Sequence, residues 1–423
     1  MSVKVINNAD TGERCYEYTH KSGLKVSVIP KPQFSSAAAY FGTKYGSIDT
    51  AFKTENEADF TVVPEGIAHY LEHKLFENED CDAFERFSET GAYANAYTSF
   101  DQTCYLFSCS DNFYDSLKIL LDFVQDPYFT KETVQKEQGI IGQEISMYDD
   151  DPDWSVLFNL LRCMYKNHPV RIDIAGTVES IAQITPELLY SCYNTFYNLN
   201  NMFICISGNV EPQRVFDICD EMLKDKEPVK IIRKPVDEPL EVVTTYTEHN
   251  LPVAAPLFAI GYKEAAIGEK TLKERTAADF IRLMLFANDS PLYKKLLDSK
   301  MINDNFSTEY FCGFGYASTL IQGESAQPQK VKEEIDKYLL KTAENGLDEQ
   351  AFERARRALL GCAITAYDEP AGIPRLMVDA ALGGYGVFDG IAAIKNMTFD
   401  YVTKRFHEMF CTDRSALSVV KAK

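Results

Sequence analysis

Glu65-Gly66-Ile67-Ala68-His69-Tyr70-Leu71-Glu72-His73, residues 65–73, is the stretch from which the rest of the chain is read. Pro64 and an acidic residue in the first turn, followed by an apolar-periodic run to Phe76, predict a helix over 65–76. Residues four apart on a helix lie on one face, about one turn from each other, so His69 and His73 present their imidazoles together. Two imidazoles placed in this way can hold one tetrahedral zinc. Glu72 adjoins His73 and follows His69 by three positions, so its carboxylate reaches the same open face. The order is H-x-x-E-H, the reverse of the commoner H-E-x-x-H. The chain has only six histidines. His20, His249 and His407 have no partner at useful spacing, and His168 precedes Pro169 in a loop-like stretch.

Zinc needs a third protein ligand and leaves its fourth position to water. Glu144 is the best candidate, on a helix predicted over 133–147, with Glu137 two turns back on the same face. One carboxylate would bind zinc and the other would fix a histidine. Read alone, the two glutamates suit an exposed charged face better than a pair of ligands. With zinc in place, its water would have a pKa near 7, and Glu72 would accept the proton and pass it to a leaving amine.

Outward from this site, strands are predicted at 24–28 and 36–41 and a β-rich segment at 95–109. Helices are expected at 115–124, 155–165 and 186–196, and a buried strand at 202–207. Residues 224–239 (KDKEPVKIIRKPVDEP) turn charged and proline-rich, which is linker composition. The element order then restarts with strands at 240–247 and 256–262 and a helix at 271–286. The run from Ile141 to Asp149 before Pro152 has a counterpart from Leu360 to Asp368 before Pro370. That register sets Glu144 against Ala363 and Glu137 against Arg356. The expected organisation is a zinc-binding catalytic domain at 1–225, a linker at 226–240, and a degenerate repeat without metal at 241–423.

Composition limits the alternatives. A net charge of −20 makes nucleic acid a poor partner, while cationic peptides would be attracted. The eleven cysteines are dispersed and form no C-x-x-C, which fits reduced, buried thiols and excludes a cysteine zinc ribbon. There is no apolar run of 18 or more and no leader-like apolar stretch at the start, so a cytoplasmic location away from membranes is expected.

Residues 65–73 resemble the active-site helix of the insulinase/pitrilysin family of zinc peptidases, the inverzincins, and within it the bacterial YmfH-like group. The resemblance continues through Gly91-Ala92, the block from Asn95 to Thr103, and Glu137 to Glu144. It takes in His168-Pro169-Val170-Arg171, Ile174-Ala175-Gly176-Thr177 and Asn201-Met202. It implies an α+β fold of two homologous domains, each a mostly antiparallel sheet with helices packed on one face. It also implies one zinc per chain on His69, His73 and Glu144, with Glu72 as base and Glu137 behind the ligands. Asn95, Ala96 and Tyr97 look like the family's edge strand, where an extended peptide is added as a further strand.

One departure stands out. Members of the family use an Arg and a Tyr from a non-catalytic domain at the substrate carbonyl. The matching region here, 300–306, has neither; Tyr310 and Tyr316 are nearby, with no Arg beside them. The resemblance thus implies a dimer whose second subunit supplies the pair, a degenerate homologous subunit ahead of a second copy of this chain. The expected function is a zinc metalloendopeptidase that cleaves peptides or unfolded segments in a closed chamber. Its alternatives are a non-proteolytic peptide-binding or scaffold subunit, and an enzyme dedicated to one precursor. The intact H-x-x-E-H and Glu144 weigh against the scaffold.

Overall fold

The structure, a computed structural model, describes residues 3–79, 81–266 and 268–422. The chain forms two compact units, each discontinuous in sequence. Unit 1 comprises residues 1–145, 173–235 and 364–388, and unit 2 comprises 146–172, 236–363 and 389–423.

The first unit holds strands β1 (Lys4–Asn7), β2 (Arg14–Thr19), β3 (Lys25–Pro30), β4 (Ala37–Thr43), β5 (Ala51–Thr54), β6 (Thr61–Val62), β7 (Tyr93–Thr98), β8 (Thr103–Cys109), β9 (Met202–Gly208) and β10 (Ile231–Arg233). Seven of them form one sheet in the order β1-β2-β3-β9-β4-β8-β7. All neighbours are antiparallel except β3 and β9. The central strand β9, with the sequence MFICISG, is buried throughout, as an apolar run between two paired neighbours should be. The β-rich segment 95–109 is a hairpin: β7 and β8 pair from Tyr93↔Ser108 to Thr98↔Thr103, and β7 is the edge strand.

The first five helices in chain order are α1 (Ile67–Leu75), α2 (Ala83–Thr90), α3 (Phe113–Val124), α4 (Lys131–Asp149) and α5 (Pro152–Met164). The buried positions of α4 are Val134, Glu137, Ile141 and Ile145, spaced as one helical face. A glutamate within that stripe needs a polar partner.

The second unit contains β11 (Tyr246–Asn250), β12 (Leu257–Lys263), β13 (Ser307–Gly313), β14 (Tyr316–Glu324) and β15 (Ser415–Lys421) in the order β11-β15-β12-β14-β13. β11 and β15 are parallel and the other pairs antiparallel. This is the order and polarity of β3-β9-β4-β8-β7, so the two halves are repeats of one topology.

Each half also lends a helix to the other sheet. α5 packs on β12 and β15, and the helix Ile373–Gly383 packs on β4 and β9. Linear boundaries at 225 and 241 therefore leave one helix of each half on the other half's sheet. The connection over 226–240 is ordered, because its Ile231 and Ile232 are apolar enough to enter β10 and pair with β5. Farther along, the Glu238 carboxylate accepts from the backbone N–H groups of Lys166, Asn167 and His168 and from buried Lys263. No helix among the described residues is long and apolar enough to cross a membrane.

Candidate metal centre

α1 begins two residues later than the sequence pattern indicates, because Gly66 sits at φ 85° in the left-handed region and Glu65 lies before the helix. A Cβ at residue 66 would stand 2.3 Å from the Ala175 carbonyl oxygen, so both backbone angle and space require glycine there. Gly176, at φ 75°, closes from the other side; a Cβ on it would lie 2.6 Å from the Glu65 carbonyl oxygen. Ser180 Oγ also donates to that Glu65 carbonyl at 2.9 Å. The Ile174–Thr177 block is thus a clamp on the entry to α1. Nothing in its local pattern pairs it with Gly66, since the contact spans more than a hundred residues.

α1 and α4 are tied by the Tyr70 hydroxyl, which donates to the Val134 carbonyl. This contact sets the two helices so that Glu137 and Glu144 come to the histidines. His69 and His73 lie with ring centroids 4.6 Å apart. His69 Nε2 is 3.6 Å from Glu144 Oε1, and His73 Nε2 is 3.4 Å from Glu144 Oε2. One ligand atom from each of the three residues lies within 4.8 Å of the others. Zinc bonds of about 2.0–2.1 Å in tetrahedral geometry require donors about 3.4 Å apart. The cluster therefore has the dimensions and donor chemistry that fit such an ion.

Glu137 Oε1 lies 3.0 Å from His73 Nδ1. That contact places the ring proton on Nδ1 and leaves the Nε2 lone pair facing Glu144. Burial opposes charging of His73, but the Glu137 hydrogen bond and the charges of Glu72 and Glu144 outweigh it and raise its pKa. A proton and a metal thus compete for Nε2, so metal affinity falls as pH falls.

Glu72 is buried beside this cluster and accepts from Thr98 Oγ1 at 2.7 Å. Together with His73, Glu137, Phe76, Phe84, Asn95 and Ala96 it lines a cleft of about 580 Å³. Asn95 and Ala96 thus reach the cleft from the edge strand. The Tyr97 hydroxyl is engaged by Cys104, its cross-strand neighbour. Asn95 is exposed, and its Oδ1 accepts from the Ala96 N–H at 2.9 Å. Thr98, which the sequence offers only as a strand former, is the contact that local pattern did not single out.

The two tyrosines near the Arg-poor segment are committed elsewhere. Tyr310 donates to Glu264 at 2.9 Å, and Tyr316 packs against His168 and Phe311. Tyr310 does have an arginine partner, distant in sequence: Arg405 Nη2 donates to it at 3.2 Å. Arg405 is only 2% exposed, however, and both its terminal nitrogens donate to Glu264.

Paired repeats of this topology, with an H-x-x-E-H helix facing a glutamate helix in one of them, define the insulinase class, and the chain belongs to the insulinase family, peptidase family M16. Residues 62–178 match the model "Insulinase (Peptidase family M16)", and residues 183–359 match "Peptidase M16 inactive domain". The chain is similar to the "Uncharacterized zinc protease YmfH" of Bacillus subtilis (strain 168), with 39% identity over 428 residues and 100% of both chains covered. An uncharacterized zinc protease of Rickettsia felis is 30% identical over 207 residues, 48% of each chain. Among solved structures, one described as an M16-like peptidase from Alicyclobacillus acidocaldarius has TM-score 0.93 and 37% identity, covering 97% of this chain and 99% of its own. A Helicobacter pylori protease shares the fold at TM-score 0.83 and 19% identity, covering 97% of this chain and 99% of its own.

Proposed function

We propose that this chain is a zinc-dependent metalloendopeptidase of peptides or unfolded segments, with one zinc held by His69, His73 and Glu144. The single observation that carries this reading is the convergence of both Nε2 atoms on the Glu144 carboxylate at 3.6 and 3.4 Å. When bound, zinc supplies Lewis acidity that lowers the pKa of a water toward about 7 and polarises a scissile carbonyl. Glu72 takes the proton from the attacking water and returns it to the leaving amine. Glu137 keeps the His73 tautomer fixed.

The free edge of β7 takes the substrate as an added strand at Asn95, Ala96 and Tyr97. Main-chain hydrogen bonds then supply affinity regardless of side chains. A substrate carbonyl displaces the Asn95 side chain from the Ala96 N–H. The Arg and Tyr that would stabilise the oxyanion come from a partner subunit, in a cytoplasmic dimer with a degenerate homologue. Burial of Arg405 and its commitment to Glu264, to which the Tyr310 hydroxyl also donates, support this assignment. An isolated chain with full peptidase activity would overturn it.

The test is zinc content and peptide cleavage of the wild type beside Glu144→Gln and Glu72→Gln. The expected result is about one zinc per chain in wild type and Glu72→Gln, little in Glu144→Gln, and cleavage by the wild type with its partner only. A wild type that cannot be loaded with zinc would leave the peptide-binding scaffold as the function.

A further inference from the structure

Glu72 is 8% exposed, and the Thr98 hydroxyl sits 2.7 Å from its Oε2. Thr98 is the last residue of β7, and its cross-strand partner is Thr103 on β8. The two threonine oxygens are 3.3 Å apart. Thr103 is fully buried, and its hydroxyl donates to the Tyr45 carbonyl at 2.9 Å. A hydroxyl has a single proton to give, so Thr103 can only accept from Thr98. Thr98 must then direct its own proton either to Thr103 or to Glu72. The shorter distance and the charged acceptor both decide for Glu72. The two hydroxyl protons therefore point away from each other, Thr103's to the Tyr45 carbonyl and Thr98's to the Glu72 carboxylate.

We propose that Thr98 is a positioning residue for the base, an inference that rests on the assignment of that role to Glu72. The bond holds the carboxylate in one rotamer by Oε2 and leaves Oε1 to take up and return the proton. A glutamate carboxyl otherwise turns freely about its last torsion, which has no sharp staggered minimum. The donor also lies on the strand whose edge is offered to the substrate, so the base is held by the element that aligns the peptide. A strand displaced from β8 would carry Thr98 away from Glu72, and an added substrate strand that steadies β7 steadies the base.

The experiment compares full-length wild type, Thr98→Val and Thr98→Ser. Valine removes the hydroxyl at nearly constant shape, and serine restores it. Crystal structures of the zinc-free proteins report the Glu72 rotamer, and zinc-loaded proteins report zinc content, kcat and KM on a fluorogenic peptide in the presence of the partner subunit. The valine variant should keep its zinc and its KM within about two-fold while kcat falls about 10- to 100-fold, the range for partners that orient a catalytic group. Its Glu72 carboxylate should occupy more than one rotamer, whereas the serine variant should match wild type in both respects.

An unchanged single Glu72 rotamer in Thr98→Val would overturn the inference, as would a loss that follows zinc content or KM alone. Should the valine variant fail to fold, the serine variant and Thr98→Ala carry the same comparison. Wild type that binds zinc but cleaves nothing would count against the peptidase assignment. The rotamer comparison would still decide whether Thr98 holds Glu72.

Discussion

β3-β9-β4-β8-β7 and β11-β15-β12-β14-β13 share order and polarity, yet among the described residues only the first ladder is flanked by a cluster of residues that could hold a metal. The difference lies in a few positions on otherwise equivalent helices. On α4, Glu137 meets His73 and Glu144 meets both histidines. On the matching helix Glu349–Thr365, Arg356 takes the place of Glu137 and donates to the carbonyls of Ile394, Lys395 and Met397. Ala363 takes the place of Glu144. The helix Leu272–Phe286 has no histidine, and a Thr271/Glu274 capping box opens it, where α1 opens on a left-handed glycine with no side-chain cap. The second repeat satisfies its own backbone at positions where the first holds polar groups for something else. In the structural copy a side-chain cap opens the helix, and in the chemical copy a left-handed glycine opens it.

The largest expected effect breaks this contrast at its centre. Glu72→Gln should lower peptide cleavage by at least about 10²- to 10⁴-fold with zinc content unchanged, as loss of a general base does; steady-state kinetics with elemental analysis checks it. Glu137→Gln should weaken zinc binding about 10- to 100-fold, measured by competition with a chelator. Its counterpart Arg356→Gln should leave zinc affinity untouched and instead lower stability by about 2 kcal/mol, because three backbone acceptors lose their charged donor.

A smaller effect is expected at the helix openings. Gly66→Ala should cost about 1–3 kcal/mol from a strained φ and displace α1, reducing zinc affinity as well. Thr271→Ala should cost about 1 kcal/mol of stability and leave zinc affinity unchanged. Denaturation with parallel zinc titration separates the two.

The smallest effect belongs to His168, whose pKa burial lowers, reinforced by Lys263 against the Phe314 carbonyl and Glu238. Folded protein binds fewer protons here than unfolded protein does. The contribution is therefore complete above the unfolded value of about 6.5 and is lost as pH falls below it. Melting temperature should drop more steeply between pH 7 and 5 in wild type than in His168→Gln.

Much of this was legible in residue order, and for a definite reason. The H-x-x-E-H helix depends on neighbours within one turn, so His69, Glu72 and His73 could be read directly. The Glu137–Glu144 spacing was legible on the same basis, and Val134, Ile141 and Ile145 on the face of Glu137 show why that carboxylate is buried. The family resemblance tied these local patterns together, and the repeat emerged from the match of 141–149 with 360–368.

Tertiary structure alone decided the rest. The Gly66–Gly176 clamp, the Tyr70–Val134 tie, the hydrogen bond of Arg405 to Tyr310, and the Thr98 contact to Glu72 join residues far apart in the chain. So does the placement of α5 and the helix Ile373–Gly383, each on the sheet of the other half. Periodicity records which face of an element is apolar, but not which distant surface will cover it. The chain's order specified the reactive groups, and packing set the distances between them.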